Sequence, residues 1–279
     1  MLFLFRVLSI LPLWLLHLLG WWMGWLTFLA SPTYRRRFLA NLAQAGYRLR
    51  EVHQAVGHAG RMVSELPRLW LGGPVRLEWD NEACIEAAYQ AGHGIVFLTP
   101  HIGCFEVTAQ AVAARYGAQY GLLTVMFRPA RQPWLAEVMA SSRHRPGLDT
   151  APTTLAGVRK MLKAMRRGQA VGLLPDQVPP EGQGLWAPFF GREAYTMTLA
   201  ARLAQQGGAT VLLAWGERLA WGRGYRLHFR GLARPLAPDL AQAVLQINGE
   251  MEQLVRECPQ QYLWGYARYK QPRKETLDV

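Results

Sequence analysis

Apolar and polar positions divide the chain into two unequal parts. Between Val7 and Tyr34 no residue is charged, and the run VLSILPLWLLHLLGWWMGWLTFLA includes Trp14, Trp21, Trp22 and Trp25. A helix crosses a bilayer with about 20 apolar residues, so residues 1–31 are expected to form a membrane anchor, spanning or deeply inserted. Pro12 and His17 interrupt the run and allow a second geometry, kinked or lying partly in the interface. A cleaved signal peptide would need only about 7–15 apolar residues and is rarely flanked by Trp. Arg35, Arg36 and Arg37 follow at once, with Arg48 and Arg50 beyond, which places the rest of the chain in the cytoplasm by the positive-inside rule.

Residues 32–279 read as the second part. Phe38, Leu42, Ala45 and Leu49 recur at helical spacing, so Pro32 to Leu66 is expected to be helical. After Gly72-Gly73-Pro74, short β-rich runs alternate with longer helical ones. Strands are expected at Val75–Trp79, Ile95–Thr99, Leu122–Phe127, Ala170–Leu174, Thr210–Trp215 and Tyr225–Phe229, and helices near 81–91, 104–116, 132–144, 154–167, 196–206 and 239–257. That alternation predicts an α/β fold, a mostly parallel or mixed central sheet flanked by helices.

Composition narrows the function classes. An apolar fraction of 51% excludes a disordered chain, and three cysteines exclude a disulfide-stapled scaffold. Cys84, Cys104 and Cys258 have no metal-ligand spacing, so no metal is implied. P-loop and G-x-G-x-x-G fingerprints are absent, which leaves nucleotide binding without support. With 31 Lys and Arg against 19 Asp and Glu the net charge is +12, so many arginines lack carboxylate partners and are expected to face an external anion. The anchor and the lack of a reading motif argue against nucleic acid. Arg159, Lys160, Lys163, Arg166 and Arg167 wrap one side of a predicted helix, either an ordinary solvated face or a surface for an acidic partner.

The chemistry concentrates in GIVFLTPHIGCFEVTAQAVAARYG. His101 lies just past the carboxyl end of a predicted strand and before a helix, where α/β folds hold their ligands. Glu106 is close enough for a turn at Gly103 to fold it back onto one imidazole nitrogen, leaving the other as general base toward a hydroxyl. The free N–H groups of the helix start suit an oxyanion. Cys104 offers a rival acyl-enzyme route, set against its reading as an inert buried thiol. Arg128, Arg131, Arg143 and Arg145 leave another strand end and suit a phosphorylated substrate. Asp176 and Gln177 end a further strand, either as a turn cap or in the site. The loop beyond leads to Trp186, Phe189 and Phe190, which read equally as core or as the wall of an acyl groove.

Taken in order, these boxes resemble the late acyltransferases of lipid A biosynthesis, the lauroyl/myristoyl group of the wider lysophospholipid acyltransferase superfamily. The resemblance rests on the anchor followed by RRR, the H-x-x-x-x-E box from His101 to Glu106, Phe127-Arg128-Pro129 with R-x-R at Arg143 to Arg145, Pro175-Asp176-Gln177 leading to PFFG, and the terminal PQQYLWGYARYK. It covers nearly the whole chain. It implies transfer of a fatty acyl group from an acyl carrier protein thioester to a hydroxyl of a lipid A precursor of the Kdo-lipid IVA type, at the cytoplasmic face of the bacterial inner membrane. His101 would be the general base and Glu106 its orienting partner. Arg128, Arg143, Arg145, Asp176 and Gln177 would contact the substrate, and no cofactor would be needed. WGYARYK departs from the His-Lys/Arg or Tyr-Asn pair of many relatives, which leaves lyso-ornithine lipid, lysophospholipid or glycolipid as alternative acceptors. The non-enzymatic alternative is a membrane-anchored basic lipid-binding module.

Overall fold

A computed structural model describes residues 2–127, 132, 136, 138, 139 and 145–274. The N-terminal quarter is helical: α1 (Leu2–Ile10), α2 (Leu13–Ala30), α3 (Pro32–Gln44), α4 (Leu49–Val52), α5 (Gln54–Ser64) and α6 (Leu66–Leu71). Beyond it come β1 (Leu77–Asp80), α7 (Ala83–Ala91), β2 (Ile95–Leu98), α8 (Phe105–Tyr120), β3 (Leu123–Phe127), β4 (Leu148–Pro152), α9 (Leu155–Arg166), β5 (Ala170–Leu173), β6 (Gly184–Phe189), β7 (Arg192–Met197), α10 (Leu199–Ala204), β8 (Thr210–Arg218), β9 (Tyr225–Gly231) and α11 (Leu240–Glu257). Seven strands form one sheet in the order β1-β9-β8-β2-β5-β3-β4. It is parallel except where β8 meets β9, with β6 and β7 as a separate antiparallel hairpin.

The central strands β2 and β5 are buried at every position, as expected of a sheet covered on both faces. Two apolar layers form. One holds Phe38, Leu98, Val171, Leu213, Phe189 and Trp264, and the other Ile85, Phe97, Val112, Tyr116 and Leu227. Caps mark the long helices: Thr154 accepts from Gly157 N at the start of α9, and Asp239 from Gln242 N at the start of α11.

The elements depart from expectation in one respect. Strand β4 and the β6–β7 hairpin were not anticipated, because Pro152 and Pro188 read as strand breakers. A proline is tolerated at an edge, and β4 ends the sheet while the hairpin stands apart from it. The predicted helix at 132–144 falls mostly outside the described residues. The anchor helix is not free-standing: α2 lies antiparallel along α5. Gly20 and Gly24 allow that approach, since a Cβ on Gly24 would meet Val56 O at 2.1 Å and one on Gly60 would meet Gly20 O at 1.9 Å. Ser64 Oγ donates to Leu16 O at 2.7 Å and Arg61 Nε to His17 O at 3.1 Å, fixing the pair.

Candidate active site

Strand register builds the site. Parallel β2 and β5 pair Ile95 with Ala170 and Leu98 with Leu173. Both strands then run through a proline into a turn, Thr99-Pro100-His101 and Leu174-Pro175-Asp176. His101 and Asp176 therefore leave the carboxyl ends of neighbouring strands at the same level. Asp176 Oδ1 stands 2.7 Å from His101 Nδ1, and its Oδ2 accepts the His101 backbone N–H at 2.8 Å. The carboxylate is 2% exposed and the imidazole 15%, so one is walled in and the other reachable. Burial alone would raise the Asp176 pKa, but the His101 charge, its two hydrogen bonds and the nearby Arg268 outweigh burial and hold it below the usual range.

An ionised Asp176 can only accept, so Nδ1 carries a proton, and in the neutral ring Nε2 keeps the lone pair. The Gln177 amide Nε2 lies 3.0 Å from that lone pair and donates to it. The Phe105 ring meets the imidazole edge-on at 5.2 Å.

Two other segments fix the turn that carries His101. Gly103 has φ +54°, and a Cβ there would stand 2.0 Å from Gly216 O, so only glycine fits. Cys104 N donates to Gly216 O at 2.7 Å on β8, and Gly103 N to Gln261 O at 3.0 Å. Leu263 N donates to His101 O at 3.0 Å. The terminal PQQYLWGYARYK box is thus the floor of the site. Within it, Tyr262 is buried close to Asp176, and Arg268, 2% exposed, donates to Tyr195 O and Thr196 Oγ1 at 2.7 and 2.6 Å.

Beneath the turn is a second buried group of charges. Glu65, 1% exposed, takes Arg218 Nη2 at 2.6 Å, Arg218 Nε at 2.8 Å, Tyr225 Oη at 3.0 Å and His17 Nε2 at 3.2 Å. Arg218 N in turn donates to the Gln261 side chain at 2.9 Å. Burial would raise the Glu65 pKa, but the Arg218 charge and the bonds from His17 and Arg218 drive it well below the carboxylate range.

Glu106 does not reach the imidazole, whose two nitrogens are taken by Asp176 and Gln177. It opens α8 and accepts from Trp70 Nε1 of α6 at 3.3 Å. Helix geometry accounts for this: as the second residue of α8, Glu106 is carried on the helix and away from the turn, toward α6. Arg145 donates to the carbonyls of Leu69 and Trp70 at the end of α6, with Glu106 nearby. Arg128, Arg131 and Arg143 lie outside the described residues. Cys104 is buried, and burial, followed by the Glu65 charge, pushes its thiol well up, so it stays protonated.

The aromatic residues take different places. Phe189 and Phe190 are buried in the main core, under the Arg268 and Arg256 guanidiniums respectively. Trp186 and Phe189 have opposite parity on β6, so they face opposite sides of the hairpin, and Trp186 is exposed. The three do not form one wall. On α9, Arg159, Lys163, Arg166 and Arg167 are exposed, while Lys160 pairs with Asp149 at 2.6 Å. That helix runs from the end of β4 back to the start of β5, so Arg166 and Arg167 lie at the end of the sheet away from His101.

Asp176 as the partner of His101 was missed, although the signal was present. Each stands six residues after the first residue of its strand, and equal offsets on neighbouring parallel strands bring two residues level. Glu65, Arg218, Tyr262 and Arg268 gave no local signal, because their partners are far away in sequence.

A buried carboxylate behind a reachable imidazole, at the carboxyl end of a parallel sheet, is an arrangement for proton abstraction from a hydroxyl. The bacterial lipid A biosynthesis acyltransferase family profile matches residues 1–271, and the chain belongs to that family. It is similar to the lipid A biosynthesis palmitoleoyltransferase of Escherichia coli K12, with 26% identity over 207 residues, 72% of this chain and 64% of that protein. It is also similar to the lauroyltransferase of the same organism, at 26% over 63% of this chain and 55% of the relative, and to its myristoyltransferase, at 24% over 82% and 73%. The matched stretch thus spans less than two thirds of the first of these relatives.

Proposed function

We propose that the protein transfers a fatty acyl group from an acyl carrier protein thioester to a hydroxyl of a lipid A precursor, at the cytoplasmic face of the inner membrane. The carrying observation is the partly exposed His101 imidazole, held at Nδ1 by buried Asp176 and met at Nε2 by the Gln177 amide. The acceptor hydroxyl gives its proton to His101 Nε2 as its oxygen attacks the thioester carbonyl. The tetrahedral oxyanion collapses, the C–S bond breaks, and the imidazolium returns the proton to the departing carrier thiolate. An ester and a free carrier thiol result. Asp176 keeps the imidazole in the required tautomer and balances the charge it gains.

Gln177 occupies the place the hydroxyl needs, so its amide yields to the acceptor. The first N–H groups of α8, which begins four residues after His101, would serve as donors to the developing oxyanion. Glu106 acts through Trp70 and Arg145, holding α6 against the start of α8 at the mouth of the site. Exposed arginines, of which the sequence has an excess, suit a phosphorylated acceptor and an acidic carrier.

The test is mass spectrometry on the purified full chain incubated with acyl carrier thioesters and a Kdo-bearing tetraacyl precursor. One added acyl mass that requires His101 is the expected product. Transfer to lyso-ornithine lipid, lysophospholipid or glycolipid alone would overturn the acceptor, and no transfer to any of them would overturn the activity.

A further inference from the structure

We infer that α1 and α2 lie in the plane of an anionic membrane surface, as one apolar layer that also includes Trp221, and do not cross the bilayer. The inference stands apart from the acyl-transfer chemistry.

Both ends of α2 rest on the same catalytic body. At its start, a Cβ on Gly222 of the β8–β9 turn would lie 2.3 Å from Trp14 N, and His17 joins the Glu65–Arg218 pair. At its end, Phe28 meets Phe38 of α3 at 5.4 Å, and Arg35 Nη1 folds back onto Leu29 O at 3.2 Å. The helix has 18 residues and is about 27 Å long. Upright in a bilayer, it would put the β8–β9 turn on the far side and carry α5, docked along it, through the hydrocarbon. α5 begins beside exposed His53 and Gln54 and carries Arg61 toward its other end.

Laid flat, the same body needs no such burial. The inner stripe of α2, Leu16, His17, Gly20, Gly24 and Phe28, is covered by protein. The opposite stripe is apolar and open, running from Phe3 and Ile10 on α1 through Trp14, Trp22, Leu26 and Leu29 on α2. Helices with one open apolar face sit about 5–10 Å deep at the headgroup boundary. Trp221, 89% exposed and on a different element, stands beside Trp14 and extends the layer. An aromatic ring held in water at that exposure is suited to the headgroup level.

Charge selects the occupant. The first acidic residue of the chain is Glu51, while Arg6, Arg35, Arg36, Arg37, Arg48 and Arg50 precede it. The helices α1 and α2 carry no acidic residue, include Arg6 and are followed in sequence by Arg35 to Arg37, which matches anionic headgroups. A two-fold dimer through the same face would set arginines against arginines with no acid to pair them. The placement also connects to the site, since Phe5 of α1 lies 5.8 Å from Trp70, the donor to Glu106.

The experiment is depth-resolved quenching of single environment-sensitive labels at positions 14, 18, 22, 26, 29 and 221. The full chain, with Cys84 and Cys258 replaced by Ala, is reconstituted in phosphatidylethanolamine/phosphatidylglycerol vesicles. The expected profile is flat and shallow at all six positions. A profile deepest at 22, with 14 and 29 near opposite surfaces, would overturn the inference in favour of a span. Labels shielded without lipid and unquenched with it would overturn it in favour of self-association. Trp221→Asp should weaken vesicle binding roughly tenfold. Acyl transfer to detergent-dispersed acceptor should be unchanged, and full vesicle binding by this variant would remove Trp221 from the layer.

Discussion

Asp176 and His101 make two hydrogen bonds to each other, one through the imidazole Nδ1 and one through the backbone N–H, at 2.7 and 2.8 Å. The carboxylate therefore orients both the ring and the turn that carries it. The bond at Nδ1 restrains the ring and the bond at the backbone N–H restrains the turn, so one carboxylate holds both. Glu106, the nearer carboxylate in sequence, grips neither.

Cys104→Ser tests the rival acyl-enzyme route. The thiol is buried and held protonated by its surroundings, so it is a poor nucleophile. Turnover of the serine variant should stay within a few-fold of the parent. A loss of a hundredfold or more with the fold intact, read by steady-state kinetics and circular dichroism, would put the sulfur back in the reaction.

Arg145 was expected to hold substrate, but its guanidinium ties down the last carbonyls of α6. Arg145→Ala should lower unfolding free energy by about 1–3 kcal/mol, as loss of charge-assisted hydrogen bonds does. Thermal unfolding in detergent checks this. A variant of unchanged stability whose only defect is a raised acceptor KM would return Arg145 to the substrate.

Glu65 gives the protein an acid-sensitive joint between α5, α6 and the sheet. Its pKa is depressed in the fold, so its stabilising contribution is fully present above the unfolded value near 4.3 and is lost as pH falls below it. Glu65→Gln leaves Arg218 buried without its counter-charge and should cost about 3–5 kcal/mol at pH 7. The parent's stability should fall progressively from about pH 5 downward, and the variant's should fall less. Parallel acid limbs in thermal melts of the two proteins would contradict this.

The sequence made the sheet legible because β2 and β5 are short, apolar and bounded by Gly or Pro and β8 opens on an apolar run after Gly207-Gly208, and it made His101 legible because it follows such a strand. It did not disclose which carboxylate serves the imidazole. Local spacing favours Glu106, yet the partner is supplied by strand pairing, which joins residues 75 positions apart. The apolar run before Tyr34 likewise announced a membrane element but not its docking. That depends on Gly20 and Gly24 meeting Gly60 and Val56, and on a salt bridge between Glu65 and Arg218, which are distant in the chain. Phe189 and Phe190 illustrate the opposite case: apolar content suits groove and core alike, and only their burial separates the two.

The most direct measurement is a double-mutant cycle in kcat over His101→Ala, Asp176→Asn and their combination, with acyl carrier thioester and lipid acceptor both saturating. A general base oriented by Asp176 predicts that each single change lowers kcat by about 10²–10⁴-fold, and that the double variant is no slower than the worse single one, because the two residues act as a unit. Asp176→Asn within a few-fold of the parent, or losses that multiply in the double variant, would contradict it.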